Sequence, residues 1–429
     1  MTFSRWLLSS KSTTARRAVT PRLRIELLED RLAPATLTVN SVANADTRDT
    51  VLTLREAIRL ASGALSVTQL TVDEQAQVSG ALVAAPNRDI IRFSIGPGTQ
   101  TIAPTGTDLP EVAEPAEIVG TAPTAFPTQR IEISGQNFVG GAHTGIRIRG
   151  GDSILRGLTV NRFNVNQVHL ITRGNNLLVG NHIGVNVAGD AAAQSGTIAN
   201  GIYVDNTPDN TIGGSIAADR NVISGNANGI YILGAGSAAI NAARNNRILG
   251  NFIGTDAAGD TDLGNASGVR VQIGHHNTIG GLIQGERNVI SGNNAFGIIL
   301  SGIGGAGLPL GSDNVIQGNY IGVNAAGTAT LANSTGIHLG IGNRQLVGGT
   351  VPGAGNLIAG GGVGVNLVQT QDSRVQGNRI GTGPAGTEDW GSVSGIQISS
   401  TSTNNLVGGR DEDDGATDGG RRRGQPHRP

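Results

Sequence analysis

The chain has 429 residues, of which 67 are glycine, 3% aromatic and 15% charged, and its formal net charge is −1. The balance of 31 basic against 32 acidic residues offers no overall field for nucleic acid or an anionic membrane, and the absence of cysteine excludes a disulfide framework and thiolate zinc. No run approaches the roughly 18 apolar residues of a membrane-spanning helix, while aliphatic residues recur throughout. The span 36–409 therefore reads as a folded chain with an aliphatic core rather than a glycine-rich disordered one.

Residues 1–35 form a basic leader, with Arg5, Lys11, Arg16, Arg17, Arg22 and Arg24 ahead of Ile25-Glu-Leu-Leu-Glu-Asp-Arg-Leu-Ala-Pro34. Its Trp6-Leu7-Leu8 core is shorter than the apolar stretch of about 7–15 residues in a standard secretory signal. The expectation is a disordered, signal-like extension.

Residues 36–130 form a β-rich N-terminal region with a helix at 53–62. Thr53 and Glu56 have capping-box spacing, Leu54, Ala57, Ile58 and Ala61 share a face, and Gly63 suits the stop. Such a helix is placed to cover the open end of a stack of strands.

Residues 131–409 are a repeat array. Gly-Asn-x-Ile-Gly begins at Gly180, Gly250, Gly318 and Gly377, in steps of 70, 68 and 59 residues. Thr211-Ile-Gly-Gly214 returns as Thr278-Ile-Gly-Gly281, Leu346-Val-Gly-Gly349 and Leu406-Val-Gly-Gly409. Asn221-Val-Ile-Ser-Gly-Asn226 returns as Asn288-Val-Ile-Ser-Gly-Asn293 and, loosened, as Asn356-Leu-Ile-Ala-Gly-Gly361. Between these phrases lie alternating segments: Gly201-Ile-Tyr-Val204, Gly229-Ile-Tyr-Ile232, Gly268-Val-Arg-Val271, Gly297-Ile-Ile-Leu300, Gly336-Ile-His-Leu339 and Gly395-Ile-Gln-Ile398. Period-two aliphatics bounded by Gly and Asn are short strands.

The spacing predicts an all-β right-handed parallel β-helix, a solenoid with a short N-terminal capping helix, in which turn asparagines bond from coil to coil. The 68 residues from Asn246 to Asn314 divide at Gly268 and Asn288 into 22, 20 and 26, which predicts three coils per unit. Residues 410–429 break the pattern with Asp411-Glu-Asp-Asp414 and Arg421-Arg-Arg423. They read as a disordered charged tail after an array cut off in mid-phrase, as in a truncated or frame-shifted reading frame.

The repeat phrases resemble those of bacterial right-handed parallel β-helix repeat proteins over about Arg130 to Gly409. Residues Leu52 to Ala61 resemble the Leu-Arg-Glu-Ala helix of bacterial surface proteins, with Val51-Leu52-Thr53 where a Cys-Ser pair often stands. Leu28-Glu-Asp-Arg-Leu-Ala-Pro34 is similar to the Leu-Glu-Pro-Arg segment of exported or envelope proteins, with Asp30 in place of Pro. The resemblance implies a secreted or cell-surface location. Related β-helices include pectate-lyase-like and pectinase-like enzymes, but a shared fold does not decide the chemistry.

Candidate chemistry is sparse. Asp256, Asp260 and Asp262 form the densest acidic cluster of the array and offer oxygen ligands to a hard cation such as calcium, yet other copies hold Asn324 and Gly383, or Thr328 and Thr387, at the first two positions. His275-His276 point to opposite faces and are expected to be exposed at the Asn277 turn. His182 and His338 occupy slots that other copies fill with Phe, Tyr, Arg or Gln, which predicts solvent-facing side chains. Arg147 and Arg149, with Arg156, Arg162 and Arg173 on the early coils, are candidates for a carboxylate-binding face; alternation in Ile146-Arg-Ile-Arg149 equally describes a solvated strand. No Gly-x-Ser-x-Gly elbow and no phosphate loop occurs. Paired carboxylates on adjacent coils, about 4.8 Å apart, are also missing. The leading expectation is a monomeric, non-catalytic surface protein that contacts extracellular polysaccharide or cell-envelope components; the alternative is a polysaccharide lyase or glycosidase whose site is spread over several coils.

Overall fold

A computed structural model describes residues 34–408, except 84, 122–123, 194–198, 236–242, 303–310 and 400. The leader up to residue 33 and the tail from residue 409 lie outside this set.

Three sheets run along the described chain. The first stacks thirteen strands from Val78–Ser79 and Thr36–Val39 to Leu406–Val407. The second runs from Thr144–Ile148 to Ser394–Ser399, and the third from Thr99–Ile102 to Arg379–Ile380. Successive strands within each sheet pair in parallel, apart from Val78–Ser79, which is antiparallel to Thr36–Val39. Each coil gives one strand to each sheet in turn, so the chain is a parallel β-helix; parallel crossovers of this kind are right-handed in about 98% of cases.

The alternation of the repeat segments builds the core. Ile146, Val168, Ile202, Ile230, Val269 and Ile298 are register partners on the inner side of the second sheet, and Ile183, Ile223, Ile253, Ile290 and Ile321 on that of the third. All are buried in one continuous apolar cluster. Like residues stack on like, so the core is aliphatic and needs few aromatics.

Asparagines occupy the corners, as expected, and form columns. Asn181, Asn221, Asn251, Asn288, Asn319, Asn356 and Asn378 are joined amide to amide at 2.8–3.1 Å. A second column runs through Asn176, Asn210, Asn246, Asn277 and Asn314, and a third through Asn226, Asn265, Asn293 and Asn333.

These columns correct the coil count. Asn246 bonds to Asn277, 31 residues on, and Asn277 to Asn314, 37 residues on. The repeating unit is therefore two coils, not three. A bare coil of three strands and three corners fits 22 residues, as Asn356 to Asn378 shows, but insertions between strands lengthen the other steps of that column to 30–40 residues. One coil of each pair carries a surface loop: Val185 bridges Ala192, Thr255 bridges Asp262 and Val323 bridges Thr330 in antiparallel sense. Loops two coils apart join through Ala257 N–H to Gly189 O, 2.8 Å, and Ala325 N–H to Gly259 O, 2.9 Å.

The stack also passes residue 130 without a break. Thr36–Val39, Asp89–Phe93, Ala116–Val119 and Ile154–Arg156 are successive strands of the first sheet. These early coils lack the Gly-Asn phrases, so the repeat is invisible there. The helix Leu54–Ala61 packs against Thr36–Val39 and Asp89–Phe93. Thr53 Oγ1 accepts from the Glu56 N–H at 3.3 Å, and Glu56 Oε2 accepts from the Thr53 N–H at 2.9 Å. No helix of the described residues is long and apolar enough to cross a membrane.

Candidate functional site

The outward side of the second sheet carries one unbroken column of register partners: Arg147, His169, Tyr203, Tyr231, Arg270, Ile299, His338, Asn366 and Gln397. Each from Arg147 to Asn366 sits between two core residues of its strand, so the alternation that buries Ile202 and Val204 turns Tyr203 outward, while Gln397 on the last strand lies between half-buried Ile396 and exposed Ile398. Two of the chain's three tyrosines lie here.

Coil stacking brings these side chains together. The His169 and Tyr203 ring centres are 4.9 Å apart, those of Tyr203 and Tyr231 5.3 Å apart, and the Arg270 guanidinium lies 5.1 Å from the Tyr231 ring centre. Further along, Phe296 and His338 are 5.3 Å apart, and Asn366 Nδ2 is 3.3 Å from His338 Nδ1. Contacts of this kind contribute about 0.5–1.5 kcal/mol each beyond area burial. The rings of His169, Tyr203 and Tyr231 therefore pack one on the next along the column. Tyr231 donates to Gln272 Oε1 at 2.6 Å, and Arg270 reaches the same oxygen at 3.4 Å.

His169 is the most unusual member. Both ring nitrogens are buried without a hydrogen-bond partner among the described residues. Asp205 Oδ2 is 3.5 Å from Nε2, beyond good hydrogen-bond length. Burial pushes the imidazole below its ordinary pKa; the Asp205 charge opposes this, and Arg147 adds to the fall. The Tyr203 hydroxyl is pushed up to about 12, first by burial and then by the Asp205 charge. Near neutrality the site thus holds an uncharged imidazole and two uncharged phenols between the cations Arg147 and Arg270. In its own column Asp205 has Ile171 and Leu233 as neighbours, so it has no second carboxylate beside it there.

Of the residues singled out above, Arg147 opens this column. It lies 3.4 Å from Glu111, and Arg149 lies 3.6 Å from the same carboxylate, so the two share one counter-ion. Arg156 and Arg162 face Glu117 and Glu132. His338 faces outward as its variability suggested, but its column neighbours half-bury it. His182 is likewise half-buried, under its own loop, with Nδ1 2.9 Å from Val187 O. His276 is exposed, whereas His275 is half-buried with Nδ1 2.8 Å from Ser312 Oγ.

Asp256, Asp260 and Asp262 are not gathered around a common point. Asp256 Oδ1 accepts from the backbone N–H of Asp260 at 2.9 Å and of Thr261 at 3.2 Å. Burial pushes this carboxyl up, but the backbone donors outweigh it and hold the pKa below the ordinary value. Asp262 is pushed up by burial. No group of three or more His, Cys, Asp or Glu that could hold a metal occurs among the described residues. Asp256 organises a turn, which explains why Asn324, with the same acceptor geometry, replaces it in the next copy.

Burial holds the pKa values of His169, His182, His275 and His338 all below the ordinary histidine value of 6.5. In the unfolded chain they take protons near pH 6.5, and in the fold only at lower pH. The unfolded state therefore binds more protons below about 6.5, and stability falls with pH. Buried Glu56 and Asp89, and Asp262 on the surface loop, are shifted upward and act in the opposite sense, starting from ordinary values of 4.5 and 3.8. The urea midpoint is expected to drop between pH 7.5 and 6.0, less steeply in His182→Gln; a flat midpoint over that range contradicts this assignment.

Fold and column together define a parallel β-helix with one long, polar-tipped outward row. No family model and no curated protein matches the chain. Among solved structures it is similar to the Dettilon tailspike protein gp208, at 13% identity and a TM-score of 0.45 over 75% of this chain, of which it spans 55%. It is similar to the A-module of the Azotobacter vinelandii mannuronan C-5 epimerase AlgE6, at 13% identity and a TM-score of 0.45 over 84% of this chain and 97% of that one. It is also similar to pectate lyase Pel9A, at 13% identity and a TM-score of 0.32 over 87% and 79%.

Proposed function

We propose that the protein is an exported or cell-surface β-helix that binds polysaccharide along the column from Arg147 to Gln397. The observation that carries this reading is the straight row of guanidinium, imidazole, phenol and amide tips, repeated at the coil spacing of about 4.8 Å. A linear chain of hydroxyl-bearing rings laid along the solenoid axis meets donors or acceptors at most coils, with the apolar Ile299 interrupting the row between Arg270 and His338. Planar guanidinium groups at Arg147 and Arg270 add affinity for carboxylates on such a chain. The Leu28–Pro34 segment, with its likeness to exported proteins, supports the location, and binding as a monomer is part of the same reading.

Affinity electrophoresis and calorimetry against uronate and neutral polysaccharides test this. The double variant Tyr203→Ala, Arg270→Ala is expected to bind at least tenfold more weakly, whereas Arg247→Ala, on the first sheet, binds as the parent does. No retention by any polysaccharide, or equal retention of the double variant, overturns the proposal.

A second reading, turnover of a uronate polymer, is favoured by His169 alone. A neutral imidazole with Asp205 3.5 Å from Nε2 suits removal of the proton next to a carboxylate once a bound chain displaces the neighbours that bury its nitrogens, and Arg147, now shared with Glu111, supplies charge to neutralise that carboxylate. Incubation with the same panel, with and without calcium, decides it. New unsaturated-product absorbance that disappears in His169→Gln supports catalysis; binding with no product and no new reducing ends supports recognition alone.

A further inference from the structure

The two-coil unit repeats closely enough that its departures from itself can be read position by position. Between the glycine pair and the corner asparagine, three copies have equal length: Gly214–Asn221, Gly281–Asn288 and Gly349–Asn356. In the first two, a 3-10 turn at Ala217–Asp219 or Gln284–Glu286 folds an acid back over the second glycine of the pair, Asp219 over Gly214 and Glu286 over Gly281. The next residue is an arginine that lies on an aromatic ring of the following coil. Arg220 is 4.1 Å from the Phe252 ring centre, and Arg287 is 4.0 Å from that of Tyr320.

The third copy abandons every part of this plug. The acid is Ala354, the arginine is Gly355, and the aromatic position on the next coil is Arg379. What remains is an open cleft of about 680 Å³ between Arg287 and Arg379, with glycines 349, 353, 355 and 377 among its lining residues. The lining contains two guanidinium groups and no carboxylate. Arg287 is fixed by Tyr320 and by a 3.3 Å bond from Nε to Gly318 O. Neither arginine forms an ion pair among the described residues. The nearest acids serve elsewhere: Glu286 lies 3.5 Å from Arg247, Glu388 lies against Gly383, and Asp372 lines the adjoining cleft. The glycines serve coil packing: a Cβ at Gly353, Gly355 or Gly377 would run into the backbone carbonyl of Leu282, Gly377 or Gly349.

We propose that this cleft is a second binding site, separate from the column on the second sheet, and that it takes an oxyanion group such as the carboxylate or sulfate of an acidic sugar. Two cations left unpaired where the repeat elsewhere places a self-satisfied plug define the site, and the planar forks of Arg287 and Arg379 suit a trigonal or tetrahedral oxyanion.

Trp390 packs with Tyr320 beside Leu357, so its fluorescence reports on the cleft wall. The full chain, carrying Trp6→Phe so that Trp390 is its one tryptophan, is titrated at low ionic strength with an oligogalacturonate, a neutral oligosaccharide of equal length, and sodium sulfate, by fluorescence and calorimetry. In the fluorescence signal, saturable binding of the oligogalacturonate is expected, at least tenfold weaker in Arg379→Phe and in Arg287→Gln, and unchanged in Arg92→Ala, an exposed residue of the Asp89–Phe93 strand. Arg379→Phe restores the residue type that Phe252 provides in another copy, and an unchanged circular dichroism spectrum confirms its folding. Sulfate binding as tightly as the oligomer still supports an oxyanion site and identifies a free anion as its occupant. Absence of saturable binding by either anion, equal binding of the neutral oligomer, or indifference to Arg379→Phe overturns the proposal.

Discussion

Asn251→Ala is expected to destabilise the fold by about 3 kcal/mol or more, through one side chain that touches no ligand. The amide is fully buried. Its oxygen accepts from Asn221 Nδ2 at 2.9 Å, and its nitrogen donates to Ile212 O at 2.9 Å, Leu249 O at 3.0 Å and Asn288 Oδ1 at 3.1 Å. Alanine leaves the Asn221 donor and these acceptors without that partner inside the wall of the solenoid, where each unmet group costs about 1–3 kcal/mol. Asn378→Ala, at the far end of the same column, removes a bond from Asn356 and bonds to Val347 O and Gln376 O in a half-buried corner. Water reaches that corner, so its cost is expected to be about half as large. Because the wall of each coil bonds to the coils on either side and only surface loops reach two coils away, the loss is local. Hydrogen-exchange protection is expected to fall in the coils either side of Asn251, along with the urea midpoint. An Asn251→Ala midpoint within experimental error of the parent's contradicts the role given to the columns.

Those columns also show what was legible in the sequence. Inward aliphatics, corner asparagines and the capped helix at Thr53 are local patterns, and the chain spells them out in order. The number of coils per unit was hidden because Gly250-Asn-Phe-Ile-Gly254 and Asn288-Val-Ile-Ser-Gly-Asn293 look like different phrases. They are the same corner in alternate coils, with Asn251 bonded directly to Asn288. Only what surrounds the corner differs, a stacked loop on one coil and a 3-10 turn on the other. The outward column was partly visible. The third residues of the six alternating segments, Tyr203, Tyr231, Arg270, Ile299, His338 and Gln397, already name six of its nine members. His169 was not visible, because its strand, Asn166–Ile171, lacks the glycine that marks the others, and its approach to Asp205 exists only across coils. The anion cleft was missed because its signal is the absence of a motif at Ala354 and Gly355.

Gly280→Ala is expected to be at least as damaging as loss of Asn251, and the comparison with Gly386→Ala separates its two causes. Both glycines have left-handed backbones, at φ +82° and +78°. A Cβ at Gly386 meets nothing within 4 Å, so alanine there carries only the backbone penalty, about 1–2 kcal/mol. A Cβ at Gly280 runs into the backbone carbonyl of Gln317 and the side chain of Asn319, both on the next coil. Neither can yield without opening the first sheet or breaking the corner column, so about 1–3 kcal/mol of overpacking is added. Gly213 and Gly348, the same residue in the neighbouring units, face Leu249 O and Gln376 O in the same way. Unfolding free energies from urea titration of the two variants are expected to differ by at least about 1 kcal/mol, with Gly280→Ala the lower; equal values show that backbone conformation alone, and not coil-to-coil contact, demands glycine here. If the difference holds, the Ile-Gly-Gly phrase marks where one coil's corner presses on the next coil's carbonyl, and its recurrence is what keeps the outward column of the second sheet straight.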